Sequence, residues 1–413
     1  MGDCGIGAIV AGVYRSLFSE PGSRAFFAAG FVGRMSMAMI GIGIILLISD
    51  VTGSYGFAGA VAAAFAITSA AATPFAGRLT DRHGQHPVLL VMSAGNAVGM
   101  TALIACAQLD APTWTLFPAA AVLGLASPSL AGMVRARWSH FVDTPGRLQT
   151  AYSLETVADE TIFVTGPIIV TAAATVVHPA AGLATAGVLA VTGCFALATQ
   201  RRTEPVPHPR GDGGAGGTLI GPGMLVLITV FLLLGFVFTT VDVTAVAFAD
   251  SAGHRWATGP LLSLFAFGSM VAGLWYGARR WHAPLHRRFC IGLMLLAAGM
   301  IPVALVRSLP LMMVAIFFAG LAISPTVIPG FGLIDRLVPR DRLTEGLSWA
   351  GTSIRTGITV GAPTAGWIID EYGAGVAFLV PFVAAALAAI VGGTWSGTLR
   401  APRESPAAVE PTA

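Results

Sequence analysis

Three acidic residues stand within one apolar segment, which covers residues 147–171 and reads RLQTAYSLETVADETIFVTGPIIVT. They are Glu155, Asp159 and Glu160. A charged side chain costs about 2.5 kcal/mol or more at the centre of a hydrocarbon layer, so such residues normally face a partner or a water-filled cavity. In a helix, Glu155 and Asp159 share a face, whereas Glu160 is turned from Asp159 by about 100°. The segment therefore predicts acids that bind a proton or pair with a base. The three side chains cannot all point to the same place.

Two arginines could supply the bases. Arg34 lies within the apolar run FVGRMSM, and Arg355 lies within another long apolar segment. Counting about 1.5 Å per residue from each helix start places Arg34 about 13 Å deep and Arg355 about 15 Å deep. Asp159 and Glu160 lie about 15–17 Å deep on the same count. We therefore expect the two arginines to pair with these two acids. Asp242, about 30 Å along its own helix, is expected near the far end.

Three roles for these charges stay open at this stage. They could form a permanent structural ion pair, or a titrating pair in which small movements of the helices load and release a proton. The arginines could instead anchor an anionic substrate, since a guanidinium grips a carboxylate in a bidentate way. Glu155 lies less deep, about 9 Å from the helix start, and is expected to be solvated or to pair near the inner end.

The composition predicts an all-α integral membrane protein. Of the 413 residues, 55% are hydrophobic and only 10% are charged, whereas soluble domains average about 25% charged residues. A spanning helix needs about 20 mainly apolar residues. Twelve segments qualify: 25–49, 55–76, 87–108, 112–134, 149–173, 178–199, 223–248, 258–277, 289–306, 310–330, 345–369 and 374–397.

Several classes of function lack residues that could support them. No Cys or His spacing is typical of a metal site, and no phosphate-binding glycine loop with a lysine is present, because the chain has no lysine. No nucleophile–base pair stands in a span, and no basic cluster is typical of nucleic-acid binding. We therefore expect no catalytic residues, no metal, no cofactor and no nucleic-acid partner, and a chain that is not an enzyme.

The arginines orient the predicted bundle. Nearly all of them fall in loops on the side that also holds both termini, and only Arg255 and Arg307 fall in loops on the other side. The positive-inside rule then places both termini in the cytoplasm of a multi-pass protein. The stretch RRTEPVPHPRGDGGAGG, rich in Pro and Gly, predicts a linker. The expected organisation is a cytoplasmic lead-in (1–24), a six-helix bundle (25–200), the linker (201–222), a second six-helix bundle (223–399) and a cytoplasmic tail (400–413).

The two halves carry a weak internal repeat. A shift of 195 residues places the opening segment on RLTEGLSWAGTSIRTGITVGAPT, which starts at Arg342. Both segments are the fifth helix of their half, and the shift sets Glu160 against Arg355. We therefore predict two pseudo-symmetric bundles of six helices each.

The loop between the second and third spans reads GRLTDRHG, from Gly77 to Gly84. It resembles the conserved loop of the major facilitator superfamily, although Gln85 and His86 stand where that family prefers basic residues. The resemblance implies a secondary transporter that works by alternating access on a small-molecule substrate. It also implies that Gly77, Asp81, Arg82 and Gly84 take part in the conformational switch on the cytoplasmic side. The equivalent stretch of the second half keeps charge but not the pattern.

Gly166-Pro167 resembles the centre of the fifth-helix motif of drug–proton antiporters, with a plain helix kink as the alternative. This resemblance implies proton-coupled efflux from a monomer in the plasma membrane. The arginine that such exporters often carry in helix four is missing from 118–132. An importer or symporter of a small polar or anionic metabolite, with Arg34 and Arg355 as anchors, is the alternative. A non-transporting membrane sensor is the alternative from another class.

Overall fold

The computed structural model describes residues 14–109, 111–142, 144–207, 221–254 and 257–400. Within these ranges the chain is helical and contains no strand. Residues 1–13 of the expected lead-in, most of the expected linker (208–220) and residues 401–413 of the expected tail lie outside the described residues.

Each half of the described chain contains six spanning helices. In the first half they are α1 (Ser23–Thr52), α2 (Tyr55–His83), α3 (Gln85–Gln108), α4 (Leu116–Leu125 and Leu130–Phe141), α5 (Pro145–Ala172) and α6 (Pro179–Thr199). In the second half they are α7 (Pro222–Ser251), α8 (Thr258–Ala278), α9 (Leu285–Leu305), α10 (Leu309–Gly320 and Ile323–Leu337), α11 (Leu343–Tyr372) and α12 (Ala374–Ala377 and Leu379–Thr394).

Length and hydropathy show that these helices can cross a bilayer. Eleven of the helical stretches in the described residues are long and apolar enough to span by composition. The twelfth, α11, is more polar but has 30 residues. At 1.5 Å per residue it is about 45 Å long, which exceeds the roughly 30 Å of a hydrocarbon core. The predicted fold, an all-α membrane protein with twelve helices in two six-helix bundles, is confirmed.

One helix boundary was wrong in a way that matters for the site. The sequence predicts a fourth span over 112–134 and places Arg135 and Arg137 in a cytoplasmic loop. The structure continues α4 to Phe141, and both arginines are buried in it. Burial of these charges is possible because each has polar partners. Arg137, for example, donates to carbonyl oxygens at the end of α6 at 2.9 and 3.0 Å.

The two halves meet on one side of the molecule, which we call the closed face. It holds the described ends of the chain, the α2–α3 and α8–α9 turns, and the starts of α5 and α11. There α2 and α4 pack on α11, and α5 packs on α8 and α10. Among the described residues, every hydrogen bond between the halves lies between this face and the middle of the bundle. The last ones are Arg355 to Ser69 at 3.3 Å and Thr352 to the Ala70 carbonyl oxygen at 3.4 Å.

The other side, the open face, carries the α1–α2, α3–α4, α7–α8 and α9–α10 turns. No hydrogen bond or ion pair joins the halves there in the part of the chain that the structure describes. We infer that the space between the halves, which we call the cavity, opens toward this face.

The contacts at the closed face repeat from one half to the other. A Cβ atom on Gly77 of α2 would stand 2.6 Å from Ser348 Oγ, and one on Gly277 of α8 would stand 2.6 Å from Ser153 Oγ. These distances leave no room for a side chain, so only glycine permits the approach. Ser153 and Ser348 are also the residues that the 195-residue shift superposes. Both crossings are therefore built in the same way, as the internal repeat predicts.

Candidate functional site

Arg34 of α1 is paired with two acids of α5. Its Nη2 lies 2.6 Å from Glu155 Oε2, and its Nη1 lies 2.8 Å from Asp159 Oδ1. Its Nε donates to the Gly30 carbonyl oxygen at 3.2 Å. Glu155 and Asp159 both reach Arg34 because a spacing of four residues places them on one face of α5.

A second arginine, Arg135 of α4, completes this group. Its Nη2 lies 2.6 Å from Asp159 Oδ2, so Asp159 is shared by two arginines. Trp138, three residues further along α4, donates its indole N–H to Glu155 Oε1 at 2.7 Å. We call Arg34, Arg135, Glu155 and Asp159 the charge cluster. It has two positive and two negative groups, and it joins α1, α4 and α5.

Three residues of the charge cluster are buried, whereas the Asp159 side chain is 21% exposed. Arg34 and Arg135 are 2% and 3% exposed, and Glu155 is fully buried. Removing one partner from a buried ion pair typically costs about 3–5 kcal/mol, because the remaining charge loses its compensation. The cluster also reaches the second half, since the Arg135 guanidinium lies 4.1 Å from the centre of the Phe331 ring of α10. This arrangement ties the first half together and contacts its partner half near the cavity.

The structure agrees with only part of the sequence-based expectations for these residues. Arg34 pairs with Asp159 as expected. Glu155, expected to be solvated or to pair near the inner end, is fully buried and paired with Arg34. Arg355 has no ion pair with Asp159 or Glu160 among the described residues; its guanidinium donates instead to Ser69 Oγ. Arg355 lies at the same depth in the bundle as the acids but does not pair with them. Depth does not determine how each helix is rotated about its axis, and so does not determine where the side chain points.

Sequence reasoning missed Arg135 as a site residue, although a signal was present. No Gly or Pro interrupts the chain between Met133 and Thr144, so nothing ends α4 before Pro145. Arg135 and Trp138 are three residues apart and share a helix face, as a pair aimed at one helix requires. The middle of α4, over 118–132, contains no basic residue, as the sequence analysis stated. Arg135 lies beyond that stretch, in the second segment of α4.

Two acids of the cavity stand outside the charge cluster. Glu160 of α5 is half-buried, and its polar neighbours are Ser269 of α8, Asp159 and Asp242. Asp242, on α7 of the other half, is exposed to the cavity. Neither acid forms an ion pair with a basic residue within the described ranges. We call Glu160 and Asp242 the cavity acids. They lie on opposite halves and are close enough for their charges to repel each other.

The end of α2 provides a second feature, a latch on the closed face. The sequence predicted a loop from Gly77 to Gly84, but the chain is helical as far as His83. Asp81 accepts hydrogen bonds from the backbone N–H groups of Thr344 at 3.1 Å and Glu345 at 2.9 Å. Both donors belong to the first turn of α11, whose N–H groups have no partners within the helix. The carboxylate thus joins the two halves and complements the helix dipole. Arg82, one residue further, is exposed.

The two glycines of this stretch, Gly77 and Gly84, have different roles. Gly77 allows the close crossing with α11 described above. Gly84 has φ of +87°, which a residue with a side chain rarely adopts, and it connects α2 directly to α3. Glu204, beyond α6, accepts the backbone N–H of His86 at 3.0 Å and so holds the start of α3.

Gly166 and Pro167 lie inside α5, toward the open face. A Cβ atom on Gly166 would stand 2.8 Å from the Ala38 Cβ, so this glycine lets α5 approach α1 closely. The α-helix gives way to one wider turn at Ala173–Val177, six residues after the proline. A role of this pair in antiport stays a prediction.

The described residues contain no group of three or more His, Cys, Asp or Glu side chains arranged to hold a metal ion. The cavity acids are only two residues, one from each half. The acids of the charge cluster are already neutralised by its arginines. The arrangement can bind a proton or a small organic cation at the cavity acids, and an anion at Arg355.

Comparison with known proteins agrees with this architecture. The sequence profile described as Major Facilitator Superfamily matches residues 26–301 and 285–412. None of the curated proteins matches the sequence at significant similarity.

Similar solved structures share the fold at low identity. A bacterial homologue of the iron transporter ferroportin, in an outward-facing state, is 15% identical, with a TM-score of 0.75 over 91% of this chain and 99% of that one. The human organic anion transporter MFSD10 (TETRAN) is 14% identical, with a TM-score of 0.72 over 90% and 100% of the two chains. The E. coli fucose:proton symporter FucP is 13% identical, with a TM-score of 0.64 over 90% and 99%.

At these identities the solved structures show the fold alone, but the profile spans nearly the whole chain. Together with the twelve helices in two halves, it identifies the chain as a multi-pass membrane transporter that belongs to the Major Facilitator Superfamily.

Proposed function

We propose that this transporter couples the export of a small amphipathic organic molecule to the entry of protons. The observation that carries this proposal is the pair of cavity acids, Glu160 and Asp242, which come from opposite halves and have no basic partner among the described residues. The other two acids of α5 are already compensated by arginines at 2.6 to 2.8 Å.

The coupling follows from what closure of the open face would do. Asp242 is exposed, and water stabilises the charged form of a carboxylate. When the halves close over the cavity, two like charges would be left without water or a counter-ion, which is costly in a low dielectric. Binding a proton to each acid removes that cost. Protons therefore promote closure, and their release on the other side resets the transporter.

An organic cation could neutralise the same acids. Proton and substrate would then compete for one site, which is the simplest basis for exchange: the protein closes with protons or with substrate, but not with the bare acids. The resemblance of Gly166-Pro167 to the motif of drug–proton antiporters favours export as the direction.

We propose that the closed face is cytoplasmic and that the protein lies in the plasma membrane. The described arginine-rich turns, including Arg279, Arg280 and Arg340, lie on this face, whereas Arg307 lies on the open face. Cytoplasmic loops carry such an excess of basic residues. Since one chain contains both halves of the cavity, we expect a monomer to be sufficient for transport.

The experiment is transport by the full chain in proteoliposomes with an imposed pH gradient. Two fluorescent probes are compared, one permanently cationic and one permanently anionic. We expect the cationic probe to move against the proton flow, and the Glu160→Gln/Asp242→Asn double variant to lose gradient dependence. Asp370→Asn, which removes an exposed charge at the end of α11, is the matched control. Full gradient dependence in the double variant would refute the proton role of the cavity acids.

Import or symport of an anionic metabolite is a second candidate, supported by Arg355. This arginine is half-buried on the cavity side of α11 and has a neutral partner, Ser69, in place of an acid. Arg34 is unsuited to this role, because it is 2% exposed and engaged by two acids. Selective movement of the anionic probe together with protons, lost in Arg355→Met, would favour this candidate over export of a cation.

A further inference from the structure

A large basic cavity lies on the closed face, away from the transport site. It has a volume of about 900 Å³ and is formed by the start of α5, the α8–α9 turn, the end of α10 and residues 16–20. The two halves of the protein therefore both contribute to its walls. We call it the basic cavity.

Its charge is strongly unbalanced. The acidic and arginine residues among its lining residues are Glu20, Arg147, Arg279, Arg280, Arg288 and Arg336, that is, five arginines and one acid. Glu20 is already paired with Arg147 at 2.9 Å. The other four arginines have no acidic partner within ion-pair distance in the described part of the chain.

Aromatic rings hold two of these arginines in place. The Arg279 guanidinium lies 5.3 Å from the centres of both the Trp275 and the Trp281 rings. Arg288 lies 5.7 Å from the Tyr276 ring, and its Nη1 donates to Gln149 Oε1 and to Tyr276 Oη. A guanidinium has five N–H donors. Stacking fixes its plane without using them, so most donors stay available for an anion.

The pseudo-symmetry of the fold relates the basic cavity to the latch at Asp81. In the first half, Asp81 stands four residues after Gly77 and accepts two backbone N–H groups at the start of α11. In the second half, Trp281 stands four residues after Gly277, beside the start of α5. Where one crossing carries a built-in carboxylate, its counterpart carries a tryptophan and a ring of arginines.

We propose that the basic cavity binds a phosphate-bearing anion, either a lipid headgroup or a free phosphorylated solute, which holds the closed face shut. The anion would contact Arg147 of the first half and Arg279, Arg280 or Arg336 of the second. It would thereby join the halves at the crossing where Trp281 stands in the position that Asp81 has in the first half. This site is independent of the cavity acids, and it regulates the conformational equilibrium whatever the coupling ion is.

The test compares two matched triple variants of the full chain. Arg279→Gln/Arg280→Gln/Arg336→Gln removes three charges of the basic cavity. Arg24→Gln/Arg202→Gln/Arg400→Gln removes three exposed charges that do not line it. The second variant controls for general attraction of anions to a basic surface.

The first arm measures the thermal stabilisation of detergent-purified protein by inorganic phosphate, with chloride at equal ionic strength as reference. The second arm uses nanodiscs of phosphatidylcholine with or without phosphatidylglycerol. Spin labels at Thr113→Cys and Ser308→Cys, both exposed on the open face, report the opening by electron–electron distance, in a background without native cysteines. A shut closed face gives the longer distance.

We expect the anion to stabilise the protein or to raise the long-distance population. In the cavity variant the apparent affinity should fall about tenfold or more, as the loss of one charge-assisted hydrogen bond implies. An effect of phosphate alone identifies a solute as the source, and an effect of phosphatidylglycerol alone identifies a lipid. Equal losses in both triple variants, or no effect of either anion on the unsubstituted protein, would overturn the proposal.

Discussion

The latch at Asp81 permits a quantitative prediction about the conformational equilibrium. Asp81→Asn keeps the size of the side chain but removes its charge and replaces one acceptor oxygen with an NH₂ group. The two backbone donors of α11, at 3.1 and 2.9 Å, would then face one neutral acceptor and one donor. One hydrogen bond is lost and the other becomes weaker.

The size of the effect follows from the geometry. Hydrogen bonds to charged groups contribute about 1.5–3 kcal/mol each. Because water can reach the start of α11 once the halves separate, part of this is recovered in the other conformation. We therefore expect a net loss of about 2 kcal/mol from the state with the closed face shut. That corresponds to a roughly 30-fold decrease in its population relative to the alternative state.

The measurement uses the spin-label pair on the open face, at Thr113→Cys and Ser308→Cys. Asp81→Asn should move the distance distribution toward shorter values, since the open face closes as the closed face separates. Asp370→Asn, the exposed acid at the far end of α11, should leave the distribution unchanged. An unchanged distribution in Asp81→Asn, or a shift to longer distances, would show that this carboxylate does not hold the halves together.

Three further predictions concern packing, the charge cluster and pH. Gly357→Ala should lower the free energy of unfolding by about 1–3 kcal/mol, because its Cβ would overlap a backbone carbonyl oxygen of α7. Gly351→Ala, with open space around the added Cβ, should change it by less than about 1 kcal/mol. Equal effects of the two substitutions would contradict the packing argument. Glu155→Gln should cost about 3 kcal/mol of unfolding free energy by leaving its buried arginine partly uncompensated, and a neutral result in chemical denaturation would show that the charge cluster is dispensable. Lowering the pH should shift the spin-label distances toward shorter values, that is, toward closure of the open face, because protons neutralise the cavity acids. The Glu160→Gln/Asp242→Asn double variant should remove this pH dependence. A pH response that survives in the double variant must arise from other groups.

The fold could be predicted from the sequence because a bilayer imposes length and hydropathy on each helix. The twelve segments follow from that constraint, and the equivalence of Ser153 and Ser348 follows from the 195-residue repeat. The glycines that these serines contact, Gly77 and Gly277, lie outside that register and were not predicted as a pair. The end of α4 could not be read in the same way. Arg135 and Arg137 look like loop residues until the acid and the carbonyl groups that compensate them are known, and those lie on other helices.

The candidate site shows the same limit. Helical geometry alone indicated that Glu155 and Asp159 point one way and Glu160 another, and the structure agrees: the first two meet Arg34, and the third faces Asp242. What the sequence could not supply was the rotation of α11, which places the Arg355 guanidinium against Ser69 Oγ and outside ion-pair distance of Asp159 and Glu160. Spacing along one helix is local information, whereas a partner on another helix depends on how both are turned.

The two groups of acids are suited to different roles because their surroundings differ. An acid held between two arginines has little to gain from a proton, so the charge cluster suits a fixed brace that joins α1, α4 and α5. The cavity acids lie on opposite halves, so in the proposed alternating-access cycle the distance between them would change. A proton gradient can drive the conformational change only through a group whose proton affinity differs between the two states. A proton that binds equally well in both states shifts no equilibrium. Glu160 and Asp242 meet this condition by their placement on α5 and α7, and the charge cluster, confined to one half apart from its contact with Phe331, does not.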